Sequence, residues 1–229
     1  MKTIGLLGGM SWESTAVYYR LLNEGVRTRL GELHSASCIV LSVDFANVEY
    51  LQTSGQWELA GDYLATCARN LEHAGAEGLI ICTNTMHRVY SQIATAVAIP
   101  VLHIADAVTA AARTRDMTRP GLLGTRYTME HQFYRDALAE RDLTITIPDE
   151  PDRQMVDRII YDELCRGVIS EESRDKLRDV TGRLAAAGCD GVILGCTELG
   201  LLLSAEVASL PVLDTTVAHA DATLTWMLD

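Results

Sequence analysis

Two short stretches carry the residues best suited to chemistry: Gly78-Leu-Ile-Ile-Cys-Thr83-Asn-Thr-Met-His87 and Gly191-Val-Ile-Leu-Gly-Cys196-Thr-Glu198. Each is an apolar run that stops on a small polar turn. The offset that carries Gly78 onto Gly191 also carries Thr83 onto Cys196, so the two read as copies of one unit. Cys196 follows a glycine at the expected end of a strand, a place where a thiol can be exposed near the N–H groups of the next helix. Such a setting lowers a thiol pKa below its usual value of about 8.5. Its counterpart Thr83 is a far weaker acid and needs an activating partner to act as a base. Two proton-handling groups addressed to opposite faces of one carbon could remove a proton from one face and return one to the other. In this chain Cys196 would have to start such a reaction. Cys82 is the rival to Thr83 for the first position. Successive strand side chains point to opposite faces, so Cys82 turns away if Thr83 turns in. The repeat agrees, pairing Cys82 with Gly195.

The elements that must position these residues follow from hydrophobic pattern. Residues 3–7 read as a buried strand, then Gly8-Gly-Met-Ser11 and a helix over about 12–29 with Ser11 as its N-cap. Residues 36–43 form a second strand, followed by a polar loop that holds Gln52 and a helix over 56–73 with apolar positions at i, i+3, i+4. Gly75 closes that helix. The strand at 78–82 leads through Thr83-Asn84-Thr85 into a helix reaching residue 98, and 100–104 make a short fourth strand. The second half repeats the plan with strands at 120–125, 143–147, 191–194 and 210–213. Strand and helix alternate and the strands are near-continuously apolar, which predicts an α/β fold of parallel sheets covered on both faces. The repeat period is far above the roughly 20 to 50 residues of a solenoid, so it means two lobes. Their expected extents are 1–102 plus 208–229, and 103–207. The cleft between them, at the C-terminal ends of the strands, is the expected ligand site.

Four strand-to-helix turns address that cleft: Gly8–Ser11, Thr83–Thr85, Thr125–Thr128 and Cys196–Glu198. Each offers free N–H groups at a helix N-terminus, which suits a carboxylate or phosphate. Ser and Thr at such places also serve as plain helix caps; it is the convergence of four that points to an anionic small ligand. Neither G-x-G-x-x-G nor G-x-x-x-x-G-K-[ST] occurs, so a nucleotide is weakly supported. With a formal net charge of −12, nucleic acid is set aside as a partner. No apolar stretch approaches the roughly 20 residues of a membrane span, and no secretory leader is apparent. A cytoplasmic location, no membrane partner and no metal are therefore expected; the six cysteines show no C-x-x-C spacing. Lysine occurs only at Lys2 and Lys176, neither placed as a Schiff-base residue, so pyridoxal phosphate is not expected and no cofactor is.

Thr83-Asn-Thr-Met-His87 after an apolar strand, Gly195-Cys-Thr-Glu198 and the opening Gly8-Gly-Met-Ser-Trp-Glu-Ser-Thr15 together resemble the cofactor-independent aspartate/glutamate racemases. The resemblance covers the whole chain. It implies two pseudo-symmetric Rossmann-like lobes, an active site between them, a small acidic amino acid as substrate and a homodimer. In that family both strand ends carry cysteine, so this chain departs from the pattern at Thr83. Cys196 is then the expected base, acting on L-aspartate or L-glutamate, with Thr83 or a water reprotonating the opposite face. Expected substrate contacts are Met10, Asn84, Thr85, Thr125, Tyr127, Thr128 and Thr197. Gln52 stands where relatives often carry arginine, and Arg166 matches a region that usually supplies a basic residue. His87 is equally compatible with a structural and a functional role. A single cleft thiol also fits the decarboxylases and isomerases of the same superfamily acting on small dicarboxylates.

Overall fold

The computed structural model describes residues 1–229, which divide into two compact units. The first unit comprises residues 1–104 and 219–229. Its strands are β1 (Ile4–Gly8), β2 (Cys38–Ser42), β3 (Gly78–Ile81) and β4 (Val101–Leu102), paired in parallel in the order β2-β1-β3-β4. Both β1 and β3 are fully buried, as parallel strands covered on two faces must be. Alternation along them builds two cores. Leu7, Leu79 and Ile81 pack with Val48 of α2 (Phe45–Thr53) and with Leu64, Ala68 and Leu71 of α3 (Trp57–His73). Ile4, Leu6, Ile80 and Cys82 pack on the other face, with Tyr18, Leu22 and Val26 of α1 (Trp12–Leu30) and with Leu224 and Met227. Truncating any of these strand leucines to alanine would cost about 2–5 kcal/mol.

The second unit, residues 105–218, repeats the topology in shorter form. Strands β5 (Gly121–Leu123), β6 (Val192–Leu194) and β7 (Val212–Asp214) pair in parallel in that order. The expected strand at 143–147 shrinks to one parallel bridge, Thr146 with Gly121, held by hydrogen bonds from Leu122 to the Thr146 carbonyl and from Thr146 to the Pro120 carbonyl. It occupies the place beside β5 that β2 occupies beside β1. The β5 strand beside it is only three residues long against the five of β1, and Pro148, which has no N–H, follows the bridge. Because β7 pairs with β6, residues 208–218 go with this unit, whereas the sequence pattern had grouped them with the first.

Two further expectations change at the level of elements. Residues 45–53, read as a polar loop, form α2, capped by the Asp44 carboxylate on the Ala46 N–H at 3.1 Å. The helix expected from Thr85 to residue 98 is a 3-10 turn, Thr85–Val89, followed by the short α4 (Tyr90–Thr95). No helix is long and apolar enough to cross a membrane.

Candidate active site

In the first unit the turn after β1 is shaped by Gly9. Its φ is +88°, and a Cβ there would lie 2.2 Å from the Val43 carbonyl oxygen, so only glycine fits. The Gly9 N–H donates to Thr15 Oγ1 at 2.8 Å, and Ser11 Oγ accepts the Ser14 N–H as the N-cap of α1. Met10 is buried beside this turn.

The turn after β3 separates the neighbours Cys82 and Thr83. Cys82 is 1% exposed and sits in the core formed with α1, where burial pushes its thiol far above the usual range. Thr83 is the next side chain and is half-buried. Asn84 is buried, Thr85 is half-buried and opens the 3-10 turn, and the Asn84 carbonyl accepts the His87 N–H. Gln52, expected on a loop, projects from α2, buried, and its Nε2 lies 2.8 Å from Met86 Sδ. It therefore borders the Thr83 turn from within the same unit.

In the second unit Thr125 caps α6 (Arg126–Glu130), its Oγ1 accepting the Thr128 N–H at 3.3 Å. Thr128 is 1% exposed and fills the space against Gly124 and Gly195, where a Cβ on Gly195 would meet Thr128 Cγ2 at 3.0 Å. It shapes the two turns and is enclosed between them. Tyr127 stacks on His131, and both line a cavity of about 370 Å³ with Arg126, Glu130, Asp157 and Tyr161. Tyr161 belongs to a π-helical segment, Ile159–Glu163, that continues α8 (Glu150–Arg158). Such segments recur at functional sites. Burial, then the nearby Asp157, Cys196, Cys165 and Tyr127, push the Tyr161 hydroxyl well above its ordinary pKa, which places this phenol close to Cys196.

Cys196 ends the segment after β6 in extended conformation, φ −145° and ψ 130°. Its Sγ donates to Glu198 Oε2 at 2.9 Å, and Thr197 Oγ1 donates to the same oxygen at 2.7 Å. Burial and the Glu198 carboxylate push the Cys196 thiol well above its ordinary value. This reverses the expected lowering. The helix that follows is a five-residue 3-10 turn, Thr197–Leu201, too short to offer a full macrodipole, and a negative charge stands against the sulfur. Glu198 is the residue whose role sequence reading missed; its position two residues beyond Cys196 was the available signal. Arg166 lies at the surface, its side chain 70% exposed and 3.6 Å from Asp162, an i,i+4 pair on the 3-10 turn Leu164–Arg166 and the segment before it.

The sequence profile described as Asp/Glu/Hydantoin racemase matches residues 7–223, a span that includes all four turns. The chain belongs to this racemase family. A candidate Asp/Glu racemase from Yersinia pestis is 50% identical, with both chains covered in full and a TM-score of 0.95. An aspartate racemase homologue from Pyrococcus horikoshii OT3 is 32% identical over the whole of both chains, with a TM-score of 0.89. The aspartate racemase of Picrophilus torridus, 17% identical with a TM-score of 0.77 over 99% of this chain and 94% of that one, shares the fold. The two α/β units, each built on a parallel sheet, thus match the lobes of a racemase fold.

Proposed function

We propose that this racemase-family protein inverts the α-carbon of L-aspartate and L-glutamate without pyridoxal phosphate, with Cys196 as the base. The observation that carries the reading is the Sγ–H donated to Glu198 Oε2 at 2.9 Å. A thiol held protonated by burial and a carboxylate is no standing thiolate, so it needs an acceptor at the moment of reaction. Glu198 is that acceptor. As the Cys196 proton passes to Oε2, the sulfur takes the α-proton, and the electron pair of the broken C–H bond moves into the substrate α-carboxylate. Thr83, directly or through a water, then delivers a proton to the opposite face. One turnover leaves Glu198 protonated and the Thr83 side short of a proton, and exchange with solvent resets both. Proton transfer by placed groups of this kind contributes about 10²–10⁴-fold to rate.

Substrate carboxylates are assigned to the N–H groups and hydroxyls of the turns bearing Met10, Asn84, Thr85, Thr125 and Thr197. The Tyr127 ring borders the side chain. Gln52 replaces a charged clamp with an amide beside Met86, which suits a contact tolerant of both side-chain lengths. Arg166 contributes long-range attraction only, since its guanidinium is solvated. A homodimer follows the family resemblance. Two relatives support the acidic substrate, the candidate Asp/Glu racemase at 50% identity and the aspartate racemase homologue at 32%.

The test is chiral chromatography after incubation of dialysed protein with a panel of L-amino acids, with and without added pyridoxal phosphate. D-Aspartate and D-glutamate should form in its absence and no faster in its presence. Formation only with added pyridoxal phosphate, or CO₂ release from a malonate-type substrate with no D-amino acid, would contradict the reading.

A further inference from the structure

Behind the Thr83 turn, within the first unit, lie three histidines: His87 at 5% exposure, His103 at 9% and His219 at 0%. Their ring centroids stand 4.7 Å apart for His87 and His103 and 5.9 Å for His87 and His219. Tyr90 stacks on His87 with centroids 6.2 Å apart, and Tyr18 meets His219 edge-on at 5.6 Å. The proton positions follow from the partners. His87 Nε2 is 3.2 Å from the Ile104 N–H, which can only donate, so Nε2 carries a lone pair. His87 Nδ1 is 2.8 Å from the Thr83 carbonyl, which can only accept, so Nδ1 carries the hydrogen. His219 is the reverse: its Nε2 is 3.0 Å from the Leu102 carbonyl and donates, while as a neutral ring its Nδ1 accepts from the Tyr18 hydroxyl at 2.9 Å.

The donors therefore all point one way. Tyr18 donates to His219, and His219 to the Leu102 carbonyl. Two residues on, past His103, the Ile104 N–H donates to His87, and His87 to the Thr83 carbonyl. We infer that His87 is a positioning residue for the Thr83 turn, fixed in its Nδ1–H form by the Ile104 N–H, while Tyr18 and His219 anchor the backbone two residues before Ile104. The two bonds that share each imidazole polarise one another, and the backbone is held on both sides of His103, at the Leu102 carbonyl and at the Ile104 N–H. A protonated His87 would set an N–H against the Ile104 N–H and lose its acceptor. Burial and the neighbouring His103 and His219 oppose that protonation, while the Thr83 and Asn84 backbone favours it less strongly. The groups facing His87 are His103, His219 and Tyr90. His87 touches no reacting atom in this account; it acts by setting where the Thr83 hydroxyl points.

The inference rests on Thr83 as the group that reprotonates the substrate, and the experiment separates the two. Rates of α-proton exchange from L-glutamate and of D-glutamate formation are measured in D₂O for the wild type, Thr83→Val, His87→Leu and His87→Asn. Displacement of a positioned group by about 1 Å costs on the order of 100-fold. D-glutamate formation should thus fall about 10- to 100-fold more than L-exchange in both Thr83→Val and His87→Leu. His87→Asn, whose amide can still donate to the Thr83 carbonyl, should recover most of the lost ratio. A merely structural His87 would lower both rates together. A normal ratio in Thr83→Val sinks the assignment of Thr83 and this inference with it; a lowered ratio there beside a normal ratio in His87→Leu sinks this inference alone. Should His87→Leu fail to fold, imidazole ¹⁵N–¹H correlation spectra of the wild type decide: a neutral Nδ1–H ring at His87 upholds the inference, and an Nε2–H ring or an imidazolium at pH 7 overturns it.

Discussion

At the scale of single residues the site is asymmetric in acidity as well as in chemistry. Cys82 is a core thiol and Thr83 an alcohol, so Cys196 remains as the sulfur free of a core environment in these two turns. Its proton sits on a bond to Glu198. A carboxylate there raises the thiol, and in the proposed mechanism it also receives the thiol's proton. Replacing Glu198 by Gln keeps the shape but removes the acceptor. The expected outcome is a loss of about 100-fold in the rate of α-proton exchange with little change in KM, read from steady-state kinetics with L-glutamate. A variant with wild-type turnover would show that the thiol needs no such partner. That Thr83 and Cys196 stand at equivalent strand ends was legible in the sequence because it depends on register alone. The acidity of Cys196 was not, since it depends on which way a two-residue turn folds Glu198 back. Arg166 could have been read correctly, because Asp162 four residues earlier already offered it a partner.

Elements carry the second level of the account. Hydrophobic pattern was enough to place β1, β3, β5 and β6, whose runs are buried on both faces. It failed where the partner strand is short or the helix is a single turn: at 143–147, reduced to a bridge beside three-residue β5, and after Thr85, where a 3-10 turn stands in for a helix. That turn is what brings the His87 ring back onto the Thr83 carbonyl. Holding His87 neutral has a consequence for stability. Its folded pKa lies below the unfolded value of about 6.5. The unfolded chain then binds a proton that the native chain refuses, so stability is full above about pH 6.5 and falls as pH drops below it, by up to about 1.4 kcal/mol per pH unit for one group. Urea midpoints between pH 7.5 and 5 should decline with this slope in the wild type and less steeply in His87→Asn. Equal slopes would mean that His87 titrates alike in both states.

The whole molecule is two copies of one α/β plan that have diverged. The first copy keeps four strands and buries a polar chain of histidines behind its turn; the second keeps three strands and a bridge, and places a thiol, a carboxylate and a phenol around its own. Duplication explains why Thr83 and Cys196 stand at equivalent strand ends, and divergence why only one of them is a thiol. Enantiomers have equal free energy, so kcat/KM must match in the two directions. One-sidedness must therefore show as proton exchange on the L-substrate that outruns inversion. The most direct test of Cys196 as that base is proton NMR of L-glutamate and L-aspartate in D₂O, with dialysed wild type and Cys196→Ser. The account predicts loss of the L-substrate α-proton signal ahead of D-product with the wild type, and both slowed by at least about 100-fold in Cys196→Ser. Exchange that persists in folded Cys196→Ser, or D-product that forms as fast as the α-proton is lost, would contradict it.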